Sequence, residues 1–364
     1  MNRPTRVLLV GPSLDIMGGQ AVQADRLLER LRTLPGVEVS FQPVNPRLPG
    51  PLRVLQRVKY LRTIVTSAAY VGGLVVRIPR ADIVHAFSAG YWSFLLAPVP
   101  ALLLGRLAGR HTVLNYHTGE AEDHLTRHGK FAIPLMRLAH AIVVPSEFLV
   151  TVFSRFGLHA VAVANFIEPG RLPYRVRSQP GPRFLSNRNL EPLYNVACTL
   201  KAFHRIQRTF PEASLTVVGD GGQRHVLHRI ASSLGVRHVT FAGRVSPEEM
   251  AKHYDAADIY LNSPSIDNMP LSIIEAFAVG LPVVSTDAGG IPFIAKHEEN
   301  ALLVPCNDDE ALAAAALRLL REPDLAARLA AAARAEVLDR YTWPQVAEQW
   351  LRIYGVAQEL GARG

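Results

Sequence analysis

Residues 5–11, TRVLLVG, and 18–34, GGQAVQADRLLERLRTL, decide the fold of this chain. The first is a short apolar run that stops at glycine, the pattern of a strand buried on both faces of a parallel sheet. The second has the spacing of an amphipathic helix opened by two glycines. Strand, glycine loop and helix in that order begin a doubly wound α/β sheet. Working outward, strands are expected at 37–41, 82–86 (DIVHA), 112–116, 141–145 (AIVVP) and 161–164, with helical patterns between them. Residues 166–183, opening FIEPGRLPYRVRSQPGP, lack periodicity and read as a linker. A second series follows, with strands at 183–186, 214–218 (SLTVV), 238–242, 258–262 (DIYLN), 282–285 (PVVS) and 301–304. Its helices are expected at 195–209, 222–234, 247–256, 270–280 and 308–319. The β-α-β-α order recurs, so the chain is read as α/β, with two Rossmann-like domains, 1–166 and 167–343, facing across a cleft. A last helix over 344–360 either caps the second domain or crosses back to the first. The Ala- and Leu-rich stretch 311–336 reads as surface helices broken near Pro323.

The composition is that of a globular protein: 364 residues, 49% hydrophobic and 19% charged, which excludes a disordered chain. Two cysteines, Cys198 and Cys306, make neither a disulfide framework nor a four-thiolate zinc site. The opening MNRPTRVLLVGPS has no full apolar signal core, and the longest apolar stretches, 64–76 and 93–105, fall short of the roughly 20 residues that span a bilayer. The expected location is cytoplasmic, with peripheral placement at the inner face of the cell membrane as a further expectation. Charge is uneven: residues 1–182 hold 21 basic and 10 acidic residues, and 183–364 hold 18 and 21. Part of the excess lies in 47–62, RLPGPLRVLQRVKYLR, where Arg53, Arg57, Lys59 and Arg62 alternate with Leu52, Leu55, Val58 and Leu61. That spacing suits a basic amphipathic helix, either a patch for anionic lipid headgroups at a membrane surface or for an acidic acceptor, or the solvated face of an ordinary helix. Nucleic acid is a poor partner, because aromatics are 7% of the chain and no nucleic-acid motif is present.

Four constellations can carry chemistry. Gly18 and Gly19 open a helix after the first strand, where backbone amides approach an anion closely, or else simply make a tight turn. Arg188, in SNRNLEPLYNV (186–196), follows the first strand of the second series, and its planar fork suits phosphate. GDGG (219–222) ends the LTVV strand; Gly219 and Gly221 leave room beside the backbone, and Asp220 accepts from a ligand hydroxyl or caps the next helix. The fourth is SPSIDNMPLSIIEAFAVGLPVVSTDAGGI (263–291). Asp267 lies in a loop, Pro270 suits the first turn of a helix, and Glu275 projects from that helix. The free amides of Leu271 and Ser272 make an anion site at its start. Carboxylates that accept from hydroxyls, beside amides that hold a diphosphate, suit a sugar nucleotide.

These motifs resemble the retaining glycosyltransferases of the GT-B fold, family four (glycosyl transferases group 1). The resemblance rests on GDGG, FAGRVSPEEMAKHYDAADIYLNSPS, the motif of an acidic residue, seven residues and Glu that ends at Glu275, GLPVVSTDAGGIP, NALLVP, the Gly18–Gly19 loop and LNYHTG with His117. It implies a nucleotide diphosphate sugar as donor substrate, no further cofactor and no metal. Arg188 would contact the diphosphate, Glu275 the ribose, Asp267 the donor sugar, and the backbone at Arg244 and Val245 the base. Gly19 and His117 would approach from the N-terminal domain, which takes a glycan or lipid-linked acceptor of polysaccharide or glycolipid biosynthesis. The chain departs from the pattern in three places. The Lys that usually joins Arg188 falls at Tyr194 or Asn195, the first acidic residue is Asp267 and not Glu, and Phe293 follows GGIP. Arg183, Arg224 and Lys201 are the cations that would substitute. Two alternatives stay open: a GT-B protein that binds sugar nucleotide or glycan without transfer, and a nucleotide-sugar epimerase. A Rossmann dehydrogenase is disfavoured, since no G-x-G-x-x-G follows the first strand.

Overall fold

Thr5–Gly11 forms the first strand, β1, and its burial deepens along its length until Gly11 ends it. The chain continues as α1 (Gly19–Leu31), β2 (Val37–Pro43), α2 (Lys59–Arg77), β3 (Ile83–Ser88), α3 (Tyr91–Leu96), α4 (Pro98–Leu107), β4 (His111–Tyr116), α5 (Ala121–Met136), β5 (Ala141–Val144), α6 (Glu147–Arg155) and β6 (Val161–Ala162). The second series is β7 (Arg183–Asn187), α7 (Val196–Thr209), β8 (Ser214–Val218), α8 (Arg224–Leu234), β9 (Val239–Gly243), α9 (Pro247–Ala256), β10 (Ile259–Asn262), α10 (Leu271–Ala278), β11 (Val283–Thr286), β12 (Leu302–Val304), α11 (Asp309–Arg321), α12 (Pro323–Arg340) and α13 (Trp343–Ile353). This is a computed structural model, and it describes residues 3–13 and 19–355. It divides into two units: unit 1 takes the chain up to Ala164 and from Ala347 onward, and unit 2 takes Asn165–Val346.

Each unit has one parallel sheet of six strands, in the order β2-β1-β3-β4-β5-β6 in unit 1 and β12-β11-β10-β7-β8-β9 in unit 2. Parallel neighbours require crossovers, and the helices supply them, covering both faces. The central strands are therefore buried on both faces: every residue of β3 and β10 is buried. In unit 2, Leu200, Phe203 and Ile206 of α7 pack with Leu215 and Val217 of β8 and with Leu312, Ala316 and Leu319 of α11. Each fully buried side chain of this size contributes about 1.5–3 kcal/mol.

Three expectations are corrected. The stretch 47–62 is not one basic amphipathic helix. A 3-10 turn over Gly50–Arg57 is separated from α2 by Val58, whose backbone is extended. The Ala- and Leu-rich stretch is not a pair of surface helices, because Leu312, Ala313, Ala316 and Leu319 of α11 and Leu325, Ala326 and Leu329 of α12 are core residues. Small alanine allows close helix packing, and in sequence it reads like a helix-forming surface residue. The stretch 166–183 is not a free linker but part of unit 2. Arg177 is buried and donates from Nε to Ala257 O (2.8 Å), from Nη2 to Tyr254 O (2.8 Å) and from Nη1 to Val279 O (2.6 Å). Helix C-termini present unpaired carbonyls and a partial negative charge, so this arginine staples the ends of α9 and α10.

In unit 1 the C-terminal segment is tied to β3. Asn115 Nδ2 donates to His85 Nε2 (3.1 Å), which leaves the His85 Nδ1–H for Tyr354 Oη (2.7 Å). The imidazole lies between Phe87 and Trp350, with centroids at 5.2 and 4.8 Å. Burial pushes His85 down to about 3, and the His117 and His124 imidazoles, also desolvated, down to about 4. Neutral in the fold, these histidines take up protons on unfolding once the pH drops below the ordinary value of 6.5. Stability is full above that value and is lost as the pH falls from 6.5 toward 4, by a few kcal/mol to order of magnitude. Calorimetry across this range is expected to show the melting temperature falling, and His85→Gln is expected to flatten that slope while lowering stability at neutral pH.

Candidate functional site

β7 and β10 are neighbours in the unit 2 sheet, yet β7 is followed by β8 on one side and β10 by β11 on the other. Crossovers leave this point in opposite directions, so the loops at the carboxyl ends of β7 and β10 diverge and open a crevice. Arg188 is the first residue after β7, and Asp267 lies between β10 and α10. Ser272 lies in the first turn of α10 and Glu275 in the second.

Arg188, Asp267 and Ser272 meet directly. Arg188 Nη2 donates to Asp267 Oδ2, and Nη1 donates to Ser272 Oγ at 3.0 Å. The guanidinium lies 4.1 Å from the centroid of the Tyr194 ring, a cation–π contact. The arginine side chain is 9% exposed, and its Nε is buried without a hydrogen-bond partner. Burial works against its charge, but Asp267, Tyr194 and Tyr260 outweigh that cost and hold the guanidinium above its ordinary value. Glu275 joins through a chain of hydroxyls. Tyr254 Oη donates to Glu275 Oε2 (2.9 Å) and accepts from Asn187 Nδ2 (2.9 Å), while Tyr260 Oη donates to the Asn187 carbonyl (3.2 Å). The Tyr254 phenol is driven well above its usual range by burial and then by Glu275, so it stays protonated as a donor. As the first two residues of α10, Leu271 and Ser272 have N–H groups with no helical acceptor.

The other sequence candidates lie elsewhere. At GDGG the expected room for a ligand is filled by the chain itself. A Cβ on Gly219, whose φ is +132°, would sit 2.0 Å from Arg188 O, and one on Gly221 would sit 2.6 Å from Leu190 O. These glycines let the loop carrying Arg188 lie against β8. Asp220 does not cap α8, where Gln223 holds the N-cap; it accepts from Gly221 N (3.0 Å) and pairs with Arg224 at 3.5 Å. Arg244 is exposed and Val245 half-buried in the loop between β9 and α9. In unit 1, Gly19 opens α1, and Gly18 lies outside the described residues. His117 follows β4, stacks on Phe87 at 5.2 Å and has a buried, unpartnered Nε2. Of the substitute cations, Arg183 begins β7 at the strand end opposite Arg188 and binds Asp258 at 2.6 Å, while Lys201 is exposed on α7. Sequence reasoning missed Asn187, Tyr254 and Tyr260; the one signal available was a tyrosine between the apolar residues of a short strand, IYLN. Among the described residues no three His, Cys, Asp or Glu side chains come together as a metal-ligand set.

Residues 176–336 match the model of the family described as glycosyl transferases group 1. That stretch, a little under half of the chain, is similar to that family. The match covers β7 through most of α12, and so contains every member of the Arg188 cluster. Among curated proteins, the phosphatidyl-myo-inositol mannosyltransferase of Mycobacterium leprae is 33% identical over 48% of this chain and 46% of its own length. The GDP-mannose-dependent alpha-(1-6)-phosphatidylinositol monomannoside mannosyltransferase of Mycobacterium tuberculosis is 29% identical over 49% of this chain and 48% of its own. The chain thus spans less than half the length of these relatives. Among solved structures, HepE of Anabaena in complex with UDP-glucose matches with a TM-score of 0.77 over 98% of this chain and 99% of that one, at 18% identity. The fold is that of the GT-B glycosyltransferases.

Tyr254→Phe removes a hydroxyl that serves Glu275 and Asn187 together and leaves the ring in place. It is expected to lower the unfolding free energy in urea by about 1–3 kcal/mol, since two buried polar groups lose a partner.

Proposed function

We propose that the chain is a retaining glycosyltransferase. It moves a sugar from a nucleotide diphosphate sugar to a hydroxyl of a glycan or lipid-linked acceptor, in polysaccharide or glycolipid synthesis. One observation carries the reading: a buried guanidinium, the start of α10 and the Asp267 carboxylate meet at the switch point of the unit 2 sheet, with Glu275 linked to them through Tyr254 and Asn187. The names of the relatives supply the donor class, UDP- or GDP-linked sugars.

In this reading Arg188 and the N–H groups of Leu271 and Ser272 face the diphosphate, Glu275 holds the ribose, Asp267 meets the sugar, and the backbone at Arg244 and Val245 meets the base. Unit 1 takes the acceptor, with Gly19 and His117 as its contacts toward the donor. The neutral imidazole of His117, with Nε2 unpartnered, suits a sugar hydroxyl. The bond from the anomeric carbon to the diphosphate oxygen breaks and a bond to the acceptor oxygen forms on the same face. The acceptor proton passes to the departing phosphate oxygen. Arg188 and the helix start stabilise the charge that develops there, so the reading needs no metal. A second reading, binding without transfer, draws on Tyr194, which supplies a ring face where the family has a second cation.

Purified protein is screened against UDP- and GDP-sugars by thermal shift, and the cognate donor is expected to raise the melting temperature. Arg188→Lys is expected to lower kcat by about 10²–10³, as for removal of one preorganised donor to a developing anion. Glu275→Ala is expected to abolish transfer without unfolding the chain. Proton NMR of the product is expected to show the donor's anomeric configuration. An inverted product overturns the retaining mechanism, and donor binding with neither transfer nor hydrolysis overturns the enzyme in favour of the binding reading.

A further inference from the structure

The outer face of α2 is apolar where a surface helix is normally polar. At 100° per residue, positions 64, 68, 71, 72, 75 and 76 share one side of this helix. They are Ile, Ala, Val, Gly, Val and Val, with no polar side chain among them. Ile64 is 66% exposed, Val75 56% and Val76 57%. The opposite side is committed to the protein: Tyr70 and Leu74 are buried with Leu8, Val10 and Val84 of unit 1. Leu61–Arg80 is a helical stretch long and apolar enough to cross a membrane by length and composition, which corrects the expectation that 64–76 is too short. The helix outlasts the apolar run because residues 59–63 before it and Arg77 after it are helical as well.

The charge around this face has one sign. Residues 39–119 contain nine Lys and Arg and a single acidic residue, Asp82. Asp82 is already engaged by Arg3 at 3.0 Å and Arg6 at 3.1 Å. Exposed arginines flank the apolar arc at both ends, Arg53 and Arg62 before it and Arg77 and Arg80 after it. Val54 and Val58, exposed in the preceding turn, extend it.

We infer that α2 is a membrane-docking element. It lies along an anionic bilayer with Ile64, Val71, Val75 and Val76 in the acyl boundary and the flanking arginines at the headgroups. The helix cannot cross the bilayer without pulling Tyr70 and Leu74 out of the unit 1 core, so it rests in the interface. Anionic headgroups over acyl chains match an apolar arc with arginine at both ends and no acidic side chain on it. The inference does not rest on the transferase reading, and vesicle binding is measured without donor or acceptor.

The test is co-sedimentation of the full chain with vesicles of phosphatidylcholine alone or mixed with phosphatidylglycerol, at low and high salt. Binding is expected with the anionic vesicles only, weakened by salt. Ile64→Asp and Val75→Asp are each expected to weaken it by about tenfold or more, through loss of apolar insertion and repulsion by the headgroups. Both positions are exposed, and an unchanged melting temperature confirms the fold. Arg53→Gln with Arg62→Gln is expected to weaken anionic binding and leave the apolar arc intact. Equal binding to both vesicle types, no binding at low salt, or full binding by the Asp variants overturns the inference. A dimer in light scattering that Val75→Asp dissociates overturns it as well, since the face then belongs to a second copy.

Discussion

A guanidinium taken out of water costs several kcal/mol unless its protons find acceptors and its charge finds a partner. Arg188 meets that demand in part, from three directions: Asp267 from the loop after β10, Ser272 from the start of α10, and the Tyr194 ring from the turn before α7, while its Nε–H has no acceptor. These segments lie far apart in sequence, so one buried charge fixes their mutual register. The glycines serve the same end. A Cβ on Gly289 would sit 2.2 Å from Asp267 O, and one on Gly290 would sit 2.3 Å from Asn268 O, so only glycine lets the loop after β11 close over the Asp267 loop.

The same pairing limits what the site can do. A diphosphate that enters here meets a cation already shared with a carboxylate, and it competes with Asp267 for the Nη2 edge. Tyr194 supports the arginine through its ring face but adds no charge of its own. In the proposed reading, the leaving-group end of the crevice relies on one guanidinium and the amides of α10, and the orientation of that guanidinium matters more than the total charge. The Asn187–Tyr254–Glu275 chain sets that orientation from the other side, because Asn187 is the strand residue on which Arg188 hangs.

The strands were legible because parallel strands buried on both faces read as apolar runs closed by glycine or a polar residue, as in TRVLLVG and DIYLN. The grouping of Arg188, Asp267 and Glu275 was legible from the β-α order, which puts loops after strands at one edge. What escaped reading was decided by tertiary contact. Arg177 looks like any arginine in a Pro-rich stretch until the carbonyls of α9 and α10 surround it. The alanines of α11 and α12 look like surface until the sheet covers them. Tyr254 and Asn187 are 67 residues apart, and no spacing rule links them.

Unit 1 is built from two separated pieces of chain. His85 leaves the ribosome 269 residues ahead of Tyr354, the phenol that completes its hydrogen bonding. All of unit 2 is synthesised in the interval. Closing so long a loop is entropically slow and follows the local contacts. The first sheet to emerge is thus the last to be finished: β3 waits with an imidazole facing water while the second sheet closes its core, and the tail then seals the wall.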